Sequence, residues 1–320
     1  MKDIAVIVPV YKAHDTIIQT LHSIAMQKQV TFKTYLVVDG EEQGSYDYLR
    51  YQFSDIEIEI HYLPINVGPG VARQHGIDNS KEPYLSFIDA DDSYLSSLAL
   101  YYQKKPFIKS DKCVMVSCNF LQEKKDHDVK LMEKDIVWMH GKMYLRSFID
   151  KYNIRFNDTR ANEDVGFNTQ CECFANEDEQ INLAQDVTYL WQWRDNSTVR
   201  TDNFSYAFNE SIEGFVQNKI YAFNQVLKQK ELDDAIKFFI LTGFVHMFRK
   251  YLLAMIKAPK RMKHVQKWAK KYYYNLYTKI DKEYLEKAEK TVLAKQGLNT
   301  TNAYDEYLKW KELLKGKKKK

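Results

Sequence analysis

The chain has 320 residues, of which 45% are hydrophobic and 28% are charged, and its formal net charge is +4. This apolar content is ample for a packed core and excludes a wholly disordered chain, while the length fits one large or two modest domains. The four cysteines form no Cys-x-x-Cys pair and lie in apolar surroundings, so we expect reduced core residues rather than a zinc site or a disulfide framework.

The charges are distributed unevenly along the chain. Residues 205–320 carry 25 Lys or Arg and 12 Asp or Glu, whereas residues 1–204 carry 22 and 31. We therefore predict two domains, 1–204 and 205–320. The basic second domain indicates a polyanionic partner, namely an anionic membrane surface, a phosphate-rich polymer such as teichoic acid, or nucleic acid. The alternative is a helical lid or homo-oligomerisation module whose lysines only keep it soluble.

Strands and helices alternate through the first half of the chain. Apolar, β-branched runs predict strands at residues 4–10, 35–38, 57–63, 84–88 and 112–119. Helical spacing predicts helices at residues 15–27, capped by Asp15 or Thr16, and at 71–79 and 96–107. Alternation with short connections is typical of a doubly wound α/β domain.

The pattern loosens after residue 126 and becomes helical after residue 204. We predict strands at 135–139 and 187–193 and helices at 145–152 and 163–174. One later helical face, predicted to be the core of a bundle, holds Ile236, Ile240, Phe244, Met247 and Tyr251. A second stripe holds Val265, Trp268, Tyr272 and Leu276.

The sequence predicts neither a leader peptide nor a membrane span. Met1-Lys2-Asp3 leads directly into a strand, and the apolar stretch 236–256 is interrupted by His246, Arg249 and Lys250. We expect a cytoplasmic protein, with peripheral attachment to a membrane left open.

A candidate metal-binding motif, Asp89-Ala90-Asp91, follows the fourth strand. The carboxyl ends of parallel strands line the ligand crevice of an open α/β sheet. Two carboxylates there suit Mg²⁺ or Mn²⁺, which would neutralise a leaving diphosphate. The alternative is a turn in which an Asp caps the next helix.

Two glycine-bearing turns precede that motif. Asp39-Gly40 ends the second strand, where a carboxylate can accept a hydrogen bond from a nucleoside. In the stretch from Asn66 to Arg73, Gly68 precedes a helix whose N-terminus favours anionic groups. Ordinary turns, with Arg73 in a surface ion pair, would explain both equally.

Later residues are candidates for acceptor binding and catalysis. Glu163-Asp164 opens a helix, where acidic residues suit the helix dipole alone but can also supply a general base. Trp138, His140 and Gly141 are candidates for a wall of the acceptor site, or for core and surface positions without a function. Arg194 is a candidate for contact with a diphosphate, or for a structural ion pair.

In order and spacing, these motifs resemble those of the family 2 glycosyltransferases, inverting enzymes of the GT-A fold that use a nucleotide-sugar donor and a divalent cation. The resemblance covers about residues 1–200. It rests on Val8-Pro9-Val10-Tyr11, Val38-Asp39-Gly40, Asn66 to Arg73, Asp89-Ala90-Asp91 and Glu163-Asp164.

The resemblance implies a role for each matching residue. Residues around the nucleoside and diphosphate of a UDP-linked donor would be Pro9, Val10, Tyr11, Asp39, Asn66, Gly68, Arg73, Asp89 and Ala90. Asp91, with Asp89, would bind Mn²⁺ or Mg²⁺, and Asp164 would be the catalytic base with Glu163 beside it on the acceptor side.

The sequence departs from the family pattern in three places. Val38 stands where the family often has an acidic residue, Glu41 follows the glycine, and Pro69 replaces a smaller residue. No Gln-x-x-Arg-Trp motif of processive enzymes is present, so we expect transfer of one sugar to a glycan, polymer or lipid-linked acceptor.

Three other functions stay open at this point. One is glycosylation of modified DNA bases. Another is a nucleotidyltransferase, although Val10-Tyr11-Lys12-Ala13-His14 lacks the glycine-rich phosphate loop expected after its first strand. The third is a catalytically silent binding protein with the same fold.

Overall fold

The computed structural model describes residues 2–194, 211–255, 263, 266–267 and 269–315. The chain forms two compact units, Met1–Thr201 and Asp202–Lys320. The predicted boundary between residues 204 and 205 lies outside the described residues.

The first unit is a nine-stranded sheet with helices packed against it, which confirms the predicted α/β class. Its strands are β1 (Ile4–Val10), β2 (Phe32–Asp39), β3 (Ile58–Leu63), β4 (Tyr84–Phe87), β5 (Ser93–Tyr94), β6 (Cys113–Glu123), β7 (Val129–Met132), β8 (Lys142–Leu145) and β9 (Gln180–Trp191). Its helices are α1 (Ile17–Ala25), α2 (Leu49–Gln52), α3 (Pro69–Asn79), α4 (Ala99–Lys109), α5 (Arg146–Lys151) and α6 (Glu163–Phe174).

The strand order creates a crevice at the carboxyl end of β1. The order is β3-β2-β1-β4-β8-β6-β9-β5, with β7 paired to β6. Strands β1 to β4 are parallel, and the chain passes from β1 outward to β3 before it returns to β4 on the other side of β1. Connections therefore leave β1 and β4 in opposite directions, which opens the space where such sheets bind ligands.

The core lies on both faces of the central strand. Ile4, Val6 and Val8 face one side and Ala5 and Ile7 the other, and all five are fully buried. A strand that is covered on both faces has a continuous apolar sequence, and this is why β1 could be predicted from the sequence. All four cysteines are buried free thiols, as predicted.

The predicted strand at 135–139 is wrong. These residues form an irregular loop between β7 and β8, because the Asp135 carboxylate accepts the backbone N–H groups of Val137 and Trp138 that a strand would need. The predicted cap of the first helix also does not form. The Thr16 hydroxyl instead donates to the carbonyl of Ala90 at 2.8 Å and joins α1 to the turn after β4.

The described part of the second unit is helical. Its elements are α7 (Ser211–Leu227), α8 (Asp234–Met255), a π-helical turn (Ala269–Tyr273), α9 (Tyr274–Tyr277), α10 (Lys282–Lys295) and α11 (Thr301–Lys315). The predicted α8 stripe is confirmed as core, since Ile236, Ile240 and Phe244 are fully buried. In the second predicted stripe Leu276 is buried, whereas Val265 and Trp268 lie outside the described residues. None of the helices in the described ranges is both long and apolar enough to cross a membrane.

Candidate active site

A turn rich in acidic residues, 89–92, follows β4 at the crevice and is called the acidic turn here. Strand β9 and the residue after it hold this turn in place. The Tyr189 hydroxyl donates to Asp92 Oδ2 at 2.6 Å and accepts the backbone N–H of Asp89 at 3.3 Å. The backbone N–H of Gln192 donates to the other oxygen of Asp92 at 2.8 Å. Because Asp92 is 1% exposed and bonded through both oxygens, it anchors the turn that presents Asp89.

A group suited to a divalent cation forms around this turn. Asp89, Asp92 and His140 each offer one ligand atom within 4.8 Å of the others. His140 Nε2 lies 4.0 Å from Asp89 Oδ2 and 3.9 Å from Asp92 Oδ2. The sequence pointed to Asp89 with Asp91, but Asp91 is not in this group. Asp92 was not identified from the sequence as a candidate ligand. The sign of it in the sequence is that three of the four residues 89–92 are acidic.

The electrostatics of the group also fit a cation. Burial raises the pKa of Asp92 well above its ordinary value, and the charges of Asp91 and Asp89 raise it further. The two carboxylates of Asp89 and Asp92 and the imidazole of His140 form an oxygen and nitrogen donor set that suits Mn²⁺ or Mg²⁺. A bound divalent cation would offset the cost of these buried negative charges.

The guanidinium of Arg73 connects the acidic turn to helix α6. Its Nη2 donates to Asp89 Oδ1 at 2.5 Å and its Nη1 donates to Glu163 Oε1 at 2.6 Å. Arg73 is 4% exposed, so its side chain forms a buried clamp between these two carboxylates. Gly70 allows this packing, because a Cβ there would lie 2.9 Å from Glu163 Cβ.

Asp164 lies next to the clamp at the start of α6. Burial raises its pKa to about 8, and the neighbouring charge of Glu163 raises it while that of Arg73 lowers it. Its side chain is half-buried and accepts a hydrogen bond from the backbone N–H of Val165 at 2.8 Å. A carboxylate with a raised pKa beside a crevice has the basicity that a general base requires.

Asp39 shapes the glycine-bearing loop after β3. Its two oxygens accept the backbone N–H groups of Val67 at 2.7 Å and Gly68 at 2.8 Å. Gly40 has φ of +78°, and a Cβ there would collide with the backbone of Asn66. The carboxylate predicted to contact the nucleoside therefore also has a structural role, which is to hold the Asn66–Gly68 turn against the end of β2.

The end of β1 lies beside that loop. Val10 is buried, Pro9 is half-buried and the Tyr11 ring is 49% exposed, so of these three predicted donor residues Tyr11 offers the most surface. Glu41 ties the ends of β1 and β2 together by accepting the backbone N–H of Lys12 at 2.7 Å and the Tyr46 hydroxyl at 3.0 Å. From the sequence, Glu41 was recognised only as a departure from the family pattern, and this structural role was not predicted.

Aromatic rings pack around His140. The Trp138 and His140 rings are parallel within 1°, with centroids 6.1 Å apart, and Trp191 lies 4.9 Å from His140. Gly141 has φ of +67°, and a Cβ there would lie 2.9 Å from the carbonyl oxygen of Cys118. The structure thus brings together Trp138, His140 and Gly141, but His140 faces the acidic turn.

Arg194 reaches the acidic turn from the end of β9. Its Nη2 donates to the carbonyl oxygen of Asp91 at 3.0 Å. Arg194 therefore places a positive charge beside the acidic turn.

Comparisons with known proteins agree with this geometry. Residues 5–161 match the model of the family described as "Glycosyl transferase family 2". The chain belongs to this family. The matched segment includes the acidic turn, the Asp39 loop and Arg73, and it ends just before Glu163 and Asp164.

Two curated relatives are similar over part of their length. The chain is 34% identical over 92 residues to the putative teichuronic acid biosynthesis glycosyltransferase TuaG of Bacillus subtilis, covering 28% of this chain and 36% of TuaG. It is 25% identical over 221 residues to a teichoic acid poly(glycerol phosphate) polymerase of Staphylococcus epidermidis, covering 66% of this chain and 29% of the polymerase. The chain thus spans about a third of the length of these relatives.

A solved structure shows the same fold. S. aureus TarS 1-349 in complex with UDP-GlcNAc matches 98% of this chain and 90% of its own chain, with a TM-score of 0.68 and 15% sequence identity. The match covers the α/β unit and the helical unit, and it confirms the predicted GT-A-type fold with a helical C-terminal region.

Proposed function

We propose that this family 2 member is an inverting, metal-dependent glycosyltransferase. It moves one sugar from a UDP-linked donor to a hydroxyl group of an anionic polymer. The observation that carries this proposal is the Arg73 clamp, because one buried guanidinium joins Asp89 of the acidic turn to Glu163, the neighbour of Asp164. The candidate donor site and the candidate base therefore lie at the same edge of the sheet.

The donor side is formed by the ends of β1 to β4. Pro9, Val10 and Tyr11, with the loop held by Asp39, would receive the nucleoside. Asn66 is fixed for this role, since Arg160 donates to its side-chain oxygen and, at 3.1 Å, to its carbonyl. A donor linked to UDP is supported by the TarS complex, whose ligand is UDP-GlcNAc.

A divalent cation would be held by Asp89, Asp92 and His140, with Asp91 in the same turn. When bound, Mn²⁺ or Mg²⁺ neutralises charge on the diphosphate and so makes it a better leaving group. Ala90 gives the turn its link to α1 through Thr16, and Arg194 adds a positive charge beside the turn.

Asp164 would remove the proton from the acceptor hydroxyl. The oxygen then attacks the anomeric carbon as the bond from that carbon to the phosphate oxygen breaks, and nucleoside diphosphate leaves. A single displacement of this kind inverts the anomeric configuration. Glu163 is held by Arg73 beside Asp164, and the charge of Glu163 raises the pKa of Asp164 and so supports its basicity.

The acceptor would be a polyanion, because the charged residues in one long stretch of the second unit are all Lys or Arg. Between Asp234 and Asp281 the sequence holds eleven Lys or Arg and no Asp or Glu. Described side chains from this stretch that are exposed include Arg249, Lys267 and Lys271. The names of the two curated relatives refer to teichuronic and teichoic acid, which are anionic polymers. The positive charge of this stretch attracts a negatively charged polymer through long-range electrostatics.

The experiment is a panel of nucleotide sugars with Mn²⁺, in which release of nucleoside diphosphate is measured for the wild type and for Asp164→Asn. A poly(glycerol phosphate) chain, anionic vesicles and a DNA duplex serve as alternative acceptors or partners. Release from one UDP-sugar that needs the polymer and is lost in Asp164→Asn supports the proposal. Binding of UDP and Mn²⁺ without transfer to any acceptor, at every concentration tested, would favour the silent binding protein.

A further inference from the structure

The loop that carries Trp138 and His140 is built around an ion pair whose lysine is fully buried and whose aspartate is partly buried. Lys142 follows this loop at the start of β8 and is 0% exposed, and its Nζ lies 3.3 Å from Asp135 Oδ1. Removing charged groups from water is unfavourable, and apolar residues at such positions would stabilise a fold as well or better. The pair therefore calls for an explanation other than stability.

A single oxygen organises the turn of the loop. Asp135 Oδ1 accepts the backbone N–H of Val137 at 3.0 Å, the backbone N–H of Trp138 at 2.8 Å and the ammonium of Lys142. The Ser117 hydroxyl donates to the carbonyl of Asp135, so strand β6 holds the same residue from the other side. The direction of the loop thus depends on where Lys142 holds this carboxylate.

Helix α6 fixes the other side of the loop. Asn168 Nδ2 donates to the carbonyl of Val137 at 2.7 Å, and the Tyr144 hydroxyl donates to Asn168 Oδ1 at 2.7 Å. Asn168 lies four residues after Asp164 on α6, which places both on the same helix face. The loop is therefore attached to the helix that begins with the candidate base.

These contacts determine where His140 lies. Its carbonyl accepts from Lys142 Nζ at 3.5 Å, and its Nε2 lies within about 4 Å of the carboxylates of Asp89 and Asp92. Its ring is parallel to that of Trp138. A displaced loop would move the nitrogen donor away from the two oxygen donors.

We propose that Asp135 and Lys142 are positioning residues, which act through the loop to hold His140 at the cation group and Trp138 at the acceptor side. This inference rests on the proposed function, because it assumes that Asp89, Asp92 and His140 bind a divalent cation. Neither residue of the pair contacts the reacting atoms.

The test measures the affinity for Mn²⁺ in the presence of saturating UDP, by electron paramagnetic resonance of free Mn²⁺, with the full chain. Lys142→Met and Asp135→Asn each remove one charge with little change in volume. Outer partners of metal ligands change metal affinity by roughly 10–100-fold when they are lost, so we expect about a 10-fold weaker affinity in each. UDP affinity without Mn²⁺ stays unchanged.

Lys151→Met is the matched control, because Lys151 forms a 2.8 Å ion pair with Glu179 on the surface of the same unit. Its affinity should equal that of the wild type. If a single variant does not fold, the double variant Asp135→Asn/Lys142→Met leaves no unpaired charge and should show a smaller but measurable loss.

Folded variants of the pair, single or double, that bind Mn²⁺ as the wild type does would overturn the inference, whatever their melting temperatures. So would an equal loss of UDP affinity without Mn²⁺, since that would indicate a general distortion. A wild type that binds no Mn²⁺ with UDP would instead count against the proposed function itself.

Discussion

Replacing Arg73 by Met removes the positive charge of the clamp. The carboxylates of Asp89 and Glu163 then lose their shared ion-pair partner. The guanidinium is 4% exposed and makes ion pairs of 2.5 and 2.6 Å. Removing one partner of a buried ion pair costs about 3–5 kcal/mol. For a domain of this size that corresponds to a fall in melting temperature on the order of 10 °C.

Arg155→Met is the control for this experiment. Arg155 forms a 2.7 Å ion pair with Asp78, but both side chains are about two-fifths exposed. Exposed pairs contribute roughly 0–1 kcal/mol, so its melting temperature should fall by at most about 3 °C. Differential scanning calorimetry at pH 7.5 compares the two variants. Equal melting temperatures would refute the view that the clamp is a buried structural element.

The pH dependence of the same variant gives a second, independent check. In the wild type burial raises the pKa of Asp89, but the charges of Arg73 and His140 outweigh burial and leave it lowered. Its stabilising contribution is therefore present above the ordinary Asp pKa and is lost as pH falls. Without Arg73, burial dominates and the carboxylate is penalised at high pH. The deficit relative to the wild type should thus be smaller at pH 5 than at pH 7.5; a constant deficit would contradict this reasoning.

Three further predictions concern catalysis. Since Asp164 has a pKa of about 8 and acts as a base only when deprotonated, kcat/KM should rise with pH to a plateau above pH 8, and a flat profile from pH 6 to 9 would argue against this role. Asp164→Asn should lower kcat by about 10²–10⁴-fold with unchanged UDP affinity by calorimetry, and a loss of UDP binding would assign it a structural role. Gly70→Ala should lower kcat because its Cβ would press on Glu163, and activity equal to the wild type would show that α6 can shift freely.

The α/β class and much of the site could be predicted from the sequence, because each predictable feature is local. Strand β1 is apolar throughout since both of its faces are buried. Asp39 is the last residue of β2, and Asn66 and Asp89 follow the ends of β3 and β4 within about three residues. Parallel strands bring their carboxyl ends to one edge, so residues that are distant in the chain were expected together. The core stripe of α8 could also be predicted from a local feature, the helical spacing of its apolar residues.

Other features were decided by tertiary structure. The segment 135–139 has the apolar character of a strand, but the Asp135 carboxylate takes its backbone N–H groups, and the carboxylate is in turn held by Lys142. The assignment of His140 to the cation group depends on a loop and a turn that are about fifty residues apart. No local pattern carries that information.

The role of Arg73 shows the same division between sequence and fold. The sequence by itself determined that an arginine lies in helix α3, near the carboxyl edge of the sheet. Only the tertiary structure decided that its side chain is buried between Asp89 and Glu163, because the charge of a guanidinium inside a protein must be matched by carboxylates that different parts of the chain supply.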